Sequence, residues 1–471
     1  MAADGDAGAP ERSVSFAGPA FALAGVILTA LALRIWLGWW IGFLGDLQAY
    51  QVWSLDPGEL PAQYRSLPIP PKNYPPIYPS LLKLMRWAHR ELGLPGDYRS
   101  PFEVNYHGDP PAHRPLLLYL KLPSVVADAI SGVIIFLLAC HFRRPWLGVG
   151  LAVFYLFSPV ILYDGAYYGQ TDTILVTFLI AALAAYVMRR AGWLGAMLVA
   201  AALMKAQAVF ALPVFAAGLL GEWRPVWRAR FGRLLAGAGA ALAIVVVLAA
   251  LTGQLGQFRD GYFGIVGLYP RVTSRAFNFW WLVTRPWDKA PVLADFPPDT
   301  AKLFGLIAYK WIGAGLFFAA LSLILWRLHK ARYTPYALTL ALTAAGWSFF
   351  NWPTQMHERY SVPAVGLMCL LPFWKRRWLG WALLASTTTM LNIAEVCPFF
   401  FPPCRPLVRL VNTFIWGEMQ VTWTIFAVIH VLMVPLTIEA LWREHRPPAV
   451  QASSGGFPVM AGHSAPLPPA R

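Results

Sequence analysis

The chain has 471 residues, of which 58% are hydrophobic and only 13% charged, and it carries a formal net charge of +15 with a mean hydropathy of +0.51. A soluble domain has about 25% charged residues, so a soluble globular protein is excluded, and so is a β-barrel, which would show short alternating strands. The positive charge does not signal nucleic-acid binding either, because the basic residues cap apolar blocks and no groove-reading motif accompanies them.

Residues 1–17 contain Asp4, Asp6 and Glu11 and lack the apolar core and cleavage site of a signal peptide. They are expected to be a cytoplasmic segment ahead of a transmembrane domain over 18–446. That domain reads as all-α and polytopic, with about twelve crossings of a ~30 Å core. The expected limits are 18–41, 116–141, 146–163, 170–188, 192–204, 206–220, 232–252, 303–326, 334–351, 360–374, 378–395 and 419–442. The fifth and sixth are short and can equally be one Pro-interrupted excursion turning near Lys205. Basic clusters such as Arg143-Arg144, Arg189-Arg190 and Lys375-Arg376-Arg377 lie in short loops between blocks. The positive-inside rule assigns such loops, and with them both termini, to the cytoplasm. Residues 447–471 are rich in Pro, Ala, Ser and Gly and read as a disordered cytoplasmic tail.

Two long loops fall on the opposite, non-cytoplasmic side. The first, 42–115, opens with Gly45-Asp46-Leu47-Gln48-Ala49-Tyr50 and contains Asn73-Tyr74-Pro75-Pro76. Its stretch Ser80 to Leu92 alternates apolar residues with Lys83, Arg86, His89 and Arg90 at helical spacing, the pattern of an amphipathic interfacial helix. The second, 252–302, carries Asp260, Arg271, Arg275, Asn278 and Trp280-Trp281. Most of the 22 tryptophans need no role beyond an interfacial aromatic belt.

The candidate residues gather on that side. A carboxylate at the membrane boundary, such as Asp46, suits a general base acting on a hydroxyl; the alternative is a solvated interfacial acid. Tyr168-Gly169-Gln170-Thr171-Asp172 opens the fourth block, where Asp172 either favours the positive end of its helix or lines a cavity. Lys205-Ala206-Gln207 occupies the turn between blocks five and six, and Met356-His357-Glu358-Arg359-Tyr360 the junction of nine and ten. His357 and Arg359 there suit a phosphate held at headgroup depth. Arg34 and Asp128 lie inside blocks one and two and are expected to be a structural pair. Cys397 and Cys404 bracket a Pro/Phe-rich loop that permits a disulfide or leaves two free thiols. The spacing of His107, Asp109 and His113 fits no zinc pattern, and no P-loop, nucleotide fingerprint or nucleophile elbow is present.

In order, Asp46 with Tyr50, Tyr74-Pro75-Pro76, Asp128, Tyr168 through Asp172, Lys205 with Gln207, Asn278 with Trp280, and His357 through Tyr360 resemble the membrane glycosyltransferases of the GT-C superfamily. The likeness covers roughly 18–375 and is greatest to the lipid-linked-oligosaccharide glucosyltransferases of asparagine-linked glycosylation and their bacterial relatives. It implies inverting transfer of a hexose from a polyprenyl-phosphate sugar to a glycan or glycolipid acceptor, with membrane lipids as surroundings. No paired acidic cluster that demands a metal stands in the sequence, so transfer without metal or cofactor is expected. Asp46 would be the catalytic base. His357 and Arg359 would hold the donor phosphate, with Lys205 and Arg275 as further phosphate contacts. Tyr74, Tyr168, Gln170, Asp172, Gln207, Asn278, Trp280 and Glu358 would line the substrate cavity. The eukaryotic members carry lysine where this chain has Arg359, so their substrates do not follow from the likeness. The rival class is a transporter or flippase of a lipid-linked or small solute.

Overall fold

The computed structural model describes residues 16–40, 42–56, 58–64, 71–99, 114–222, 227–264, 267–286, 295–397 and 419–444. The tail 447–471, His107, Asp109, His113 and Cys404 lie outside the described residues. The first helices are α1 (Ala17–Gly38), α2 (Leu44–Trp53), α3 (Ile77–Glu91), α4 (Arg114–His141), α5 (Pro145–Leu156) and α6 (Pro159–Ile161). The middle of the chain forms α7 (Asp172–Val187), α8 (Ala191–Met204), α9 (Leu212–Glu222), α10 (Trp227–Leu251), α11 (Gln257–Phe263) and α12 (Phe279–Thr284). It closes with α13 (Tyr309–Lys330), α14 (Pro335–Asn351), α15 (Val362–Met368), α16 (Trp378–Val396) and α17 (Met419–Arg443). Among the described residues, strands are confined to two short pairs: β1 (Thr273–Ser274) runs parallel to β4 (Met356–His357), and β2 (Lys302–Leu303) antiparallel to β3 (Ile307–Ala308).

The chain is therefore all-α, as its periodicity predicts. Among the described residues, α1, α4, α10, α13 and α17 are long and apolar enough to cross a membrane, and the bent pair α5–α6 raises the number to six if it is one span. The other expected crossings coincide with shorter or less apolar helices. Their composition has a physical reason. Helices α7 and α14 are buried on nearly every side, and a helix that is apolar all round belongs to an interior. The long helices α1 and α10 are the reverse, with only 17% and 11% of their apolar windows buried. Phe21, Leu28, Ile244 and Leu251 stand exposed on them. A surface of that kind is stable against hydrocarbon and not against water.

The two intramembrane charges expected to be a pair do meet. Arg34 Nε donates to Asp128 Oδ2 at 2.9 Å and Arg34 Nη2 to the Leu156 carbonyl at 2.7 Å, with both side chains sealed from solvent. The pair ties α1 to α4 and to the end of α5. Breaking one partner of a buried pair costs about 3–5 kcal/mol because the other charge stays buried. Arg34→Met is therefore expected to lower the thermal midpoint of the detergent-solubilised protein by several degrees, and Arg34→Met with Asp128→Leu to recover most of it. An unchanged midpoint in the single variant would contradict this account.

Next to this pair the chain makes the turn that presents Asp46. Lys121 of α4 donates to the carbonyls of Trp40 and Tyr167, both at 2.8 Å. Phe43 N donates to the Tyr168 carbonyl at 3.1 Å. Gly42 sits between them at φ +65, where an added Cβ would lie 2.3 Å from the Tyr167 carbonyl oxygen. Only glycine tolerates both that backbone and that approach. The segment it packs on, Leu162–Tyr168, is π-helical, a rare form found mostly at functional sites.

Helix α3 bears out the expected amphipathic helix. It buries Tyr78, Leu82 and Met85, while Lys83 pairs with Asp56 and Arg86 with Glu59 on the preceding loop. Helix α11 holds the start of that segment down. A Cβ on Gly261 would come 2.4 Å from Pro75 N, so this glycine allows α11 to rest on Tyr74-Pro75.

Candidate active site

Residues from four separated segments converge on one cavity. Asp46 stands in the first turn of α2, Gln170 just ahead of α7, Lys205 between α8 and the 3-10 turn Ala206–Phe210, and Arg359 ahead of α15. A cavity of about 40 Å3 is lined by Asp46, Tyr50, Tyr74, Lys205, Gln207 and Arg359, with Trp53, Asn73, Tyr269 and Tyr360 around them. It has room for a few waters.

The Asp46 carboxylate is held from two directions. Gln170 Nε2 donates to its Oδ2, and Arg359 Nη2 lies 3.5 Å from the same oxygen. The Gln170 amide is oriented by Tyr50, whose hydroxyl donates to Oε1 at 2.9 Å, so Nε2 is left facing Asp46. Tyr50 follows Asp46 by one helical turn, which puts both on one face of α2. Burial raises the Asp46 carboxyl above the ordinary carboxylate value; Arg359, His357 and Lys205 oppose the rise and Glu358 adds to it. The side chain remains 24% exposed, which leaves it open to a proton donor from the cavity.

Arg359 is the hub of the charges. Besides Asp46 it bonds Glu358 Oε1 at 2.8 Å, and its Nε lies 3.9 Å from Asp172 Oδ2. Glu358 also accepts from the Tyr168 hydroxyl at 3.1 Å. Burial alone would raise Glu358, but Arg359 and His357 outweigh it and hold the carboxyl down to about 2. It is thus a fixed anion whose work is to orient Arg359. Asp172 stands beside the second cation: the Lys205 Nζ lies 2.8 Å from Asp172 Oδ1 at angles outside hydrogen-bond geometry.

No family model matches this chain, and no curated protein matches it. The functional reading therefore rests on where the structure puts the residues singled out in the sequence.

Asp46, Tyr74, Lys205, Gln207 and Arg359 line the cavity together. Gln170, Glu358, Asp172 and Tyr168 stand one layer back and orient those that do; Tyr168 is stacked on Phe43 at 5.0 Å between ring centres. His357 also stands back from the cavity wall. Its ring meets Tyr269 edge-on at 4.3 Å, and its Nε2 is buried without a hydrogen-bond partner. The β1–β4 pairing sets this position, matching Ser274 with His357. Arg275 turns aside: its Nη1 lies 3.2 Å from Glu395 Oε1 rather than in the cavity lining. Asn278 and Trp280 hold backbone. Asn278 caps α12 by accepting from Trp281 N at 3.2 Å and donates to the Phe350 carbonyl at 3.0 Å. Trp280 Nε1 donates to the Trp352 carbonyl at 2.6 Å.

Sequence reasoning missed Tyr50 as a site residue, together with Trp53, Tyr269 and Asp164. The helical spacing from Asp46 is a signal for Tyr50 and, through the same helix, for Trp53. Tyr269 has none, since only the β1–β4 pairing brings its loop to the cavity. Asp164 is fully buried in the π-helical turn with both oxygens lacking hydrogen-bond partners, and it feels Asp172, Lys205, Arg359 and Asp128. Cys397 is buried; its expected partner is outside the described residues.

Proposed function

We propose that this chain is a membrane glycosyltransferase of GT-C type, with about twelve crossings, both termini cytoplasmic and its site at the non-cytoplasmic face. It transfers a hexose, with inversion, from a polyprenyl-phosphate sugar to a lipid-linked or surface glycan acceptor. The observation that carries this reading is the meeting of one partly open carboxylate, Asp46, with two cations, Lys205 and Arg359, in a single aromatic-walled cavity. A carboxylate and two cations lining one cavity are the groups that in-line transfer from a sugar phosphate uses, the base on the acceptor side of the anomeric carbon and the positive charge on the phosphate side.

In this mechanism Lys205 and Arg359 bind the donor phosphate and offset the charge that grows on it as the glycosidic C–O bond breaks. Asp46 accepts the proton of the acceptor hydroxyl as that oxygen attacks the anomeric carbon from the opposite face. The free polyprenyl phosphate leaves with the electron pair of the broken bond. Arg359 links the two events. Once it turns to the phosphate it leaves Asp46, whose carboxylate then becomes a stronger base.

The test is incubation of the purified protein with short-chain polyprenyl phosphates carrying glucose, mannose or galactose, following both transfer and slow hydrolysis. Release of polyprenyl phosphate from one of them is expected. Failure to bind any of them would overturn the reading. Transport is the second reading, favoured by the buried acids Asp164 and Asp128, the first of which feels Lys205 and Arg359 of the cavity. Movement of an intact sugar lipid between leaflets of a vesicle, with no bond broken, would establish it instead.

A further inference from the structure

Gln207 raises a question that the mechanism above leaves open. Its side chain is 5% exposed and lines the cavity, yet neither its amide nitrogen nor its amide oxygen has a hydrogen-bond partner. A buried amide left unmade on both sides costs free energy comparable to its desolvation, and native structures leave few such groups without a reason. The neighbouring groups indicate the reason. Gln207 is two residues from Lys205 in the same tight turn, so the two side chains enter the cavity from one side. Tyr50, Trp53 and Tyr74 line the same cavity, with ring centres 5.7 Å (Tyr50–Trp53) and 5.8 Å (Trp53–Tyr74) apart.

We infer that Gln207 reads a hydroxyl of the donor hexose, with the Tyr50–Trp53–Tyr74 wall taking the apolar face of the sugar ring. This inference rests on the glycosyl-transfer reading and adds to it the group that selects the sugar. A pyranose has apolar C–H faces that lie against aromatic rings and hydroxyls around its rim. An amide offers one donor and one acceptor side to such a rim. Lys205, two residues away in the same turn, takes the phosphate in this mechanism, so the amide and the phosphate subsite share one cavity. A site built to bond a hydroxyl rejects the analogue that lacks it, because its own polar group is then stranded.

The experiment compares the wild type with Gln207→Met, which keeps length and volume, and with Gln207→Asn, which keeps the amide and shortens its reach. Each is assayed with a short-chain polyprenyl phosphate carrying the hexose the wild type turns over, and with its 2-, 3-, 4- and 6-deoxy analogues. The wild type is expected to prefer the parent over one deoxy analogue by about 10–100-fold in kcat/KM. Gln207→Met is expected to bring that one ratio to within about threefold, leaving the other ratios unchanged, with Gln207→Asn between. The unliganded Gln207→Met protein is expected to melt no lower than the wild type, since no hydrogen bond is lost. A lowered melting point with all ratios preserved would make Gln207 a structural residue and overturn the inference while the glycosyltransferase reading stands. A wild type that binds none of the sugar phosphates would overturn both.

Discussion

Asp46→Asn is expected to lower kcat by about 10²–10⁴-fold, the range that one positioned base supplies, with donor affinity unchanged or slightly tighter. Asparagine matches the carboxylate in shape, and its oxygen still accepts the Gln170 Nε2 bond that holds position 46. What disappears is the proton acceptor. The charge opposite Arg359 disappears as well, and the guanidinium 3.5 Å away is then free to engage the phosphate without a competing anion. Single-turnover release of polyprenyl phosphate measures the first effect and equilibrium binding of the same donor the second. A loss below tenfold would remove Asp46 from the role of base. A parallel collapse of donor binding would show that it holds the site together instead.

Arg359→Gln is expected to lower kcat/KM by about 10²–10³-fold, as for loss of one preorganised donor to a developing anion, and to displace the pH profile in a defined direction. Asp46 works ionised, so activity falls on the acid side as it takes up a proton. Burial already places its carboxyl above the ordinary value, with Arg359 the largest force in the other direction. Removing that cation raises the Asp46 pKa further, and the acid limb of kcat/KM moves to higher pH. Glu358 and Asp172 also lose one of their partners, so Arg359→Lys serves as the companion variant. It keeps the cation, restores part of the rate and returns the acid limb towards its original position. A rate loss with no movement of the limb would separate Arg359 from Asp46 and confine it to phosphate binding.

The pairings explain why the site was only partly legible. Asp46 and the His357-Glu358-Arg359 run stood out because each is a charged knot beside an apolar block, a local signal. Their division of labour was not local. His357 reads as a phosphate ligand by residue type, yet the β1–β4 register turns it against Tyr269 and leaves Arg359 on the cavity. Arg275, an equally good cation in the sequence, is taken by Glu395. Asn278 and Trp280 stand out as polar and aromatic residues in a loop, and their hydrogen bonds go to the carbonyls of Phe350 and Trp352 and to the amide of Trp281.

The sequence by itself determined the class, because apolar content and the placement of charge at block ends are sums over neighbouring residues, and neighbours are what a sequence records. It determined the helical character for the same reason, and the amphipathic α3 from its spacing alone. Arg34 and Asp128 were legible as a pair because each is a lone charge inside an apolar block. Only the tertiary structure decided which charges meet at the site: Arg359 finds Asp46 across more than 300 positions, and no periodicity extends that far. Inside a low-dielectric bundle an ion pair forms wherever packing brings two charges within reach, since leaving either alone is the costlier state. The arrangement of buried helices therefore chose the partners, and through them which side chains remain open to a substrate.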